Sequence, residues 1–176
     1  MDTPVEPRWE FRVIFDAYTD DMARLCLEGL SEGVVRANMI WLNAAGNEAP
    51  CCLATAGVKY ISPIGCGSAH PCQTILGAAE IFERGTATCI DIACYMAAVL
   101  RMRGEAARVV FTNMVNEQGQ DIPGMYHAIV ETRDGVRDYT EDLIEGDAAQ
   151  CSVDCSQPAA PQQQLDRFDP RQYQPA

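Results

Sequence analysis

Cys89 follows a Gly/Thr run and opens an apolar stretch, G-T-A-T-C-I-D-I-A-C-Y-M-A-A-V-L-R-M-R-G over residues 85 to 104. A thiol on the first turn of a helix meets free amide N–H groups and the positive end of the helix dipole, and both favour thiolate over thiol. That is a setting for a nucleophile. Downstream come Tyr126-His127-Ala128-Ile129-Val130-Glu131, an Asp-Gly turn, and Val136-Arg137-Asp138-Tyr139. Cys, then His, then Asp on successive segments supplies an attacking sulfur, a base for its proton and a carboxylate that orients the imidazole. Asp138 and Asp142 both lie within reach of His127, and Asp138 is preferred because it follows the Val136 strand directly. Asp91, on the same helix as the thiol, is read as a partner of the helix dipole and not as a third catalytic residue. An oxyanion would be held by the Cys89 amide and a side-chain donor from the preceding helix, for which Gln73 is the candidate.

These residues need a scaffold. Residues 89 to 103 form the strongest helical pattern in the chain, closed by Gly104. Residues 106 to 112, 126 to 132 and 135 to 140 read as strands of one antiparallel sheet, the last two joined at Asp134-Gly135. Residues 73 to 84 read as a helix. Farther upstream, Trp9 to Phe15 alternates as a strand, and Thr19-Asp20-Asp21 caps a helical run. That run has apolar residues at 22, 25, 26, 30, 34, 35, 39, 41 and 42, with Gly29 and Gly33 weakening its middle, so one interrupted helix or two short ones both fit. Residues 43 to 72 read as loop with one short strand at 58 to 61.

The segment from Cys89 to Asp138 resembles the core of the transglutaminase-like superfamily. The likeness rests on G-x-x-x-C at Gly85 to Cys89, Asp91-Ile92-Ala93, Leu100-Arg101-x-x-Gly104, Ala107-Arg108-Val109, His127-x-x-x-Glu131 and an Asp beyond the Asp-Gly turn, and it extends over residues 73 to 145. It implies an α+β fold with a transglutaminase-like, papain-like core, in which the helix carrying Cys89 packs on an antiparallel sheet. It also implies a Cys89/His127/Asp138 triad. The implied activity is that of a cysteine protease or amide acyl-transfer enzyme, covering peptide hydrolysis, isopeptide cleavage and transamidation, on a protein or peptide substrate and without a cofactor. The resemblance is also compatible with an alternative, a structural component of a large assembly, a virion or phage head or tail protein that keeps the domain as a scaffold.

Composition narrows the setting. The chain has 176 residues and a formal charge of −12. No basic run exists to release counterions from a phosphate backbone, which argues against nucleic acid. No stretch of about 18 apolar residues argues for a membrane span, and M-D-T-P-V-E-P is unlike a signal peptide, so a cytoplasmic or virion location is expected. Nine cysteines are an odd count, which favours reduced thiols over a disulfide framework. Cys26 and Cys94 are expected to fill the core as small hydrophobes. Cys51, Cys52, Cys66, His70 and Cys72 form a Cys/His cluster that could suit structural zinc or be ordinary buried thiols, and no metal is expected. Cys151 and Cys155 carry no specific signal. Residues 1 to 146 are expected to form the domain, with a core at 73 to 146 and an N-terminal helical extension at 1 to 72. Residues 147 to 176 are rich in Gln, Pro, Ala and Asp; their few anchors, Leu165, Phe168 and Tyr173, are expected to bury against another chain of a homo- or hetero-oligomeric assembly.

Overall fold

The computed structural model describes residues 10–14, 20–62 and 72–144. The expected partner-contacting tail lies outside them, as do Cys66, His70, Cys151 and Cys155 and the side chains of Cys72 and Gln73. In chain order the elements are β1 (Glu10–Ile14), α1 (Asp20–Ala45), a 3-10 turn (Gly46–Glu48), β2 (Lys59–Tyr60), β3 (Cys72–Leu76), α2 (Ala78–Arg84), β4 (Thr86–Ala87), α3 (Cys89–Met102), β5 (Ala107–Val115), β6 (Asp121–Thr132), β7 (Gly135–Arg137) and α4 (Glu141–Ile144). β5, β6 and β7 form an antiparallel sheet in that order, β1 pairs antiparallel with β3, and β2 pairs parallel with β4. The fold is α+β, as expected.

α3 is the centre of the molecule, and every residue from Cys89 to Met102 is buried. A helix apolar on all sides can only be an interior one. It is covered on one flank by α1 and on another by β5 and β6. Its end is fixed by backbone chemistry: Gly104 takes a positive φ of 83°, its amide bonds Arg101 O at 2.9 Å, and Glu105 N bonds Leu100 O at 3.0 Å. That pair of bonds is the Schellman closure that glycine permits.

α1 is a single helix. Its buried line runs through Ala23, Leu27, Ser31, Val34, Asn38 and Leu42, while Gly29 and Gly33 face outward where a Cβ would meet nothing. Each glycine costs about 1 kcal/mol in a helix interior. Burial of Leu27, Val34, Val35, Met39 and Leu42 contributes about 1.5–3 kcal/mol apiece and outweighs that cost. The buried line corrects one expectation: Cys26 is exposed, as are Met22 and Leu25, because the helix turns small or polar residues inward at 23 and 31. Cys94, by contrast, is fully buried and donates its Sγ–H to Ser31 O at 3.8 Å.

Residues 73 to 84 are not one helix. The first part is β3, held in register with β1 from Glu10↔Leu76 to Ile14↔Cys72, and the helix starts only after Gly77. Its first amide, Ala78 N, donates to the buried Asn38 Oδ1 at 2.8 Å, so α1 caps α2. A buried charge cluster ties three further elements. Arg101, on α3, donates through Nη1 and Nη2 to both Glu32 oxygens of α1 at 3.0 and 2.8 Å and through Nε to Ala107 O of β5 at 2.6 Å.

Among the described residues no helix is long and apolar enough to cross a membrane. Cys51 and Cys52 are both disulfide-bonded, which corrects the expectation of reduced thiols. An odd count rules out complete pairing of the cysteines and nothing more. A sulfur in a disulfide is also no thiolate, so neither residue can serve zinc. Among the described residues no three His, Cys, Asp or Glu side chains gather as a metal-holding group.

Candidate active site

The start of α3 is fixed from two directions. Thr88 is its N-cap, and Asp91, one turn on, closes a capping box: Asp91 Oδ2 accepts from the Thr88 amide at 2.9 Å and the Thr88 hydroxyl at 2.8 Å. The other carboxylate oxygen, Oδ1, accepts from Leu76 N at the end of β3 at 2.7 Å. Asp91 thus pins the first turn of α3 to the strand before it and takes no place beside the thiol's reacting atoms. Burial pushes its carboxyl up to about 6, against the pull of the Leu76 and Thr88 hydrogen bonds.

Cys89 is the first residue of that turn and is 5% exposed. Its thiol hydrogen-bonds His127. His127 stands on β6 opposite Thr112 of β5, in alternation with the buried Ala128 and Val130. Beyond it the chain reverses, with Glu131↔Val136 and Thr132↔Gly135 in register. Continuing that register past Arg137 sets Asp138 diagonal to His127 on the same face of the sheet. His127 Nε2 and Asp138 Oδ2 lie 2.5 Å apart. With Nε2 engaged there, Nδ1 is the ring nitrogen left for the thiol.

The electrostatics follow from these contacts. The hydrogen bond to Cys89, joined by the bond and charge of Asp138, overcomes partial burial and holds the His127 ring at about 9. Burial works against ionisation of Asp138, but the Thr140 hydroxyl and amide, at 2.6 and 2.9 Å on Oδ1, together with His127, hold its carboxyl below its ordinary value. Asp142, the other sequence candidate, lies instead 3.9 Å from Arg137 Nη2.

Gln73 is found on β3, paired with Val13 of β1, and not on a helix as expected. One neighbour of the thiol was not anticipated. Tyr60, on β2, is held beside the approach to Cys89 by Tyr60↔Ala87 pairing and by Ile61 N donating to Ala87 O at 2.9 Å. Burial and then the Cys89 charge push its phenol pKa up; the Ser62 hydroxyl opposes them and the Asp138 charge adds to them. The only sequence trace of this placement is the short apolar and polar alternation V-K-Y-I.

A helix-start thiol, a strand histidine and an aspartate at the following hairpin, on an α+β frame, describe a thiol-centred domain in which one helix packs on an antiparallel sheet. The sequence profile of the transglutaminase-like superfamily matches residues 44–141, more than half of the chain, and the protein belongs to that superfamily, which includes cysteine proteases and acyl-transfer enzymes. Comparison with the curated proteins and with the solved structures finds no match.

Proposed function

We propose that this domain is a thiol enzyme of amide acyl transfer, a cysteine protease or transglutaminase-like transferase acting on a protein or peptide. In this reading Cys89 attacks the acyl carbon, His127 Nδ1 already holds the proton the thiol has given up and passes it to the leaving amine, and Asp138 orients the ring and balances its charge. The observation that carries the reading is the continuous hydrogen-bonded run from Cys89 through His127 to Asp138, anchored at its far end by Thr140. A ring held at about 9 keeps its proton at neutral pH, which suits an acid that must protonate an amine.

Competition among the free thiols tests this. Cys26 is free and exposed, so it reports the rate of an ordinary accessible thiol; Cys94 is free and sealed. Iodoacetamide at pH 6, followed by peptide mapping, should label the buried Cys89 before the exposed Cys26, and His127→Ala should reverse that order. Cys26 labelled first in the native protein, with the order unchanged by the substitution, refutes the enzyme reading and leaves the scaffold role.

A further inference from the structure

The acyl-transfer reading needs a second donor for the oxyanion. When the Cys89 sulfur bonds to the acyl carbon, the carbonyl π pair moves to oxygen. The new O⁻ sits beside the first turn of α3, where the Cys89 amide has no acceptor within the helix. One amide is half of such a site.

We propose that the Tyr60 hydroxyl is the other half, a catalytic donor that binds the oxyanion together with the Cys89 amide. This rests on the acyl-transfer reading and assigns a residue that the triad does not include. Three observations converge on it. β2 is two residues long and pairs with β4: Lys59 N donates to Gly85 O at 3.0 Å and Ile61 N to Ala87 O at 2.9 Å, which places Tyr60 opposite Ala87, two residues before Cys89. β2 also contacts α4, the short helix that follows Asp138 and Thr140. Tyr60 therefore stands near both the strand that leads into Cys89 and the corner that follows Asp138. Thirdly, its hydroxyl senses the charges of both Cys89 and Asp138 while its hydrogen bond goes to Ser62. With Ser62 donating to the phenol oxygen, the phenol's own proton remains to be given to a substrate atom seated between Tyr60 and the thiol.

The S–C bond forms and the π pair goes to oxygen, which Tyr60 O–H and Cys89 N–H hold. The pair then returns, the bond to the leaving group breaks, and the leaving group departs with the proton that His127 took from the thiol. The thioester left on Cys89 passes its acyl group to water or an amine. Neither donor loses its proton.

Two reagents separate this role from effects on the thiol itself. p-Nitrophenyl acetate acylates Cys89 through an oxyanion, whereas iodoacetamide alkylates the same sulfur without one. In the full chain, Tyr60→Phe should slow acylation by about 10²-fold, the usual effect of losing one such donor, and leave the alkylation rate within about twofold. Tyr60→His, which restores an N–H donor, should acylate within about tenfold of the native protein. Acylation by Tyr60→Phe at the native rate overturns the proposal, and so does a parallel loss of acylation and alkylation, which would mean that Tyr60 supports the thiol or the fold. A native protein that alkylates at Cys89 and never acylates overturns the acyl-transfer reading itself, before any variant is made.

Discussion

Replacing Asp138 by Asn keeps the shape of the side chain and reverses the direction of one hydrogen bond. In the native protein Oδ1 takes the Thr140 amide and hydroxyl at 2.9 and 2.6 Å, and Oδ2 meets His127 Nε2 at 2.5 Å. An Asn can keep its oxygen on the two Thr140 donors only by turning its NH₂ toward His127. A donor there demands an acceptor, so Nε2 gives up its proton and the ring's remaining proton moves to Nδ1, the atom that must accept from Cys89. The substitution removes the base together with the charge.

The magnitude comes from the ring's pKa. A value of about 9 against the ordinary 6.5 is a difference of about 2.5 units, on the order of 3 kcal/mol in favour of the charged ring. Cys89 is the largest cause, so loss of the Asp138 carboxylate should lower the midpoint by about 1 to 2 units. The chain has two histidines, so ¹³Cε1 histidine NMR shows two titrations and His70→Gln leaves one. The native midpoint should lie near 9 and that of Asp138→Asn roughly between 7 and 8. Stability has a definite sign. A ring pKa raised by folding stabilises the native state fully below about 6.5, and that contribution fades as pH rises through about 9. A quarter of the His127 side chain is exposed, so solvent trims the term to about 2 kcal/mol. Urea unfolding should therefore separate native from Asp138→Asn protein by about 1–2 kcal/mol at pH 6 and by less at pH 10. A native midpoint near 6.5, or one that Asp138→Asn does not move, refutes the coupling.

Two further substitutions probe the frame. Arg101→Met removes a side chain only 3% exposed and leaves Ala107 O without its Nε donor, so a loss of about 3–5 kcal/mol is expected in urea unfolding at pH 7. Glu32, whose carboxyl Arg101 helps hold below 4.5 against burial, gives stability that is present above that pH and lost as pH falls, and Arg101→Met should flatten this acid limb. Asp91→Ala strands the Leu76 and Thr88 amides and should cost about 2–4 kcal/mol in urea unfolding at pH 5. Because folding raises the Asp91 pKa to about 6, the native protein loses stability as pH rises from 3.8 to 6, and the variant should lack that slope.

Much of the site was legible because its signals are local. Thr88 before an unbroken apolar run and Gly104 after it mark α3 without reference to any other part of the chain. His127 lies on β6 and Asp138 directly follows β7, and a tight turn joins the two strands, so their nearness follows from hairpin register. What was misread depends on distant partners. Gln73-Thr74-Ile75-Leu76 joins smoothly in pattern to the α2 sequence, and only pairing with β1 makes it a strand. The inward line of α1 runs through Ala23, Leu27 and Ser31, one step from Met22, Cys26 and Leu30, and for that reason pattern alone puts Cys26 in the core. The short strand at 58 to 61 was legible, but its pairing with β4, which sets Tyr60 opposite Ala87, was not.

The same contrast between local and distant constraint decides how a substrate can approach. Cys89 is 5% exposed and belongs to a helix with no exposed residue, tied by Asp91 to β3, by Arg101 to α1 and β5, and by the Tyr95 hydroxyl to Pro50 O. Moving α3 to uncover the thiol would expose several fully buried side chains at about 1.5–3 kcal/mol each, far more than a bound peptide segment could recover there. Exposure remains on the groups around the thiol: His127 and Asp138 keep about a quarter of their side-chain surface, and Tyr60 is half-buried on a strand held by few bonds. Among the described residues, the side of the thiol with exposed groups is therefore that of β2 and the β6–β7 hairpin. These partly exposed groups beside the thiol are the ones that would govern charge on the oxygen and the proton on the leaving amine.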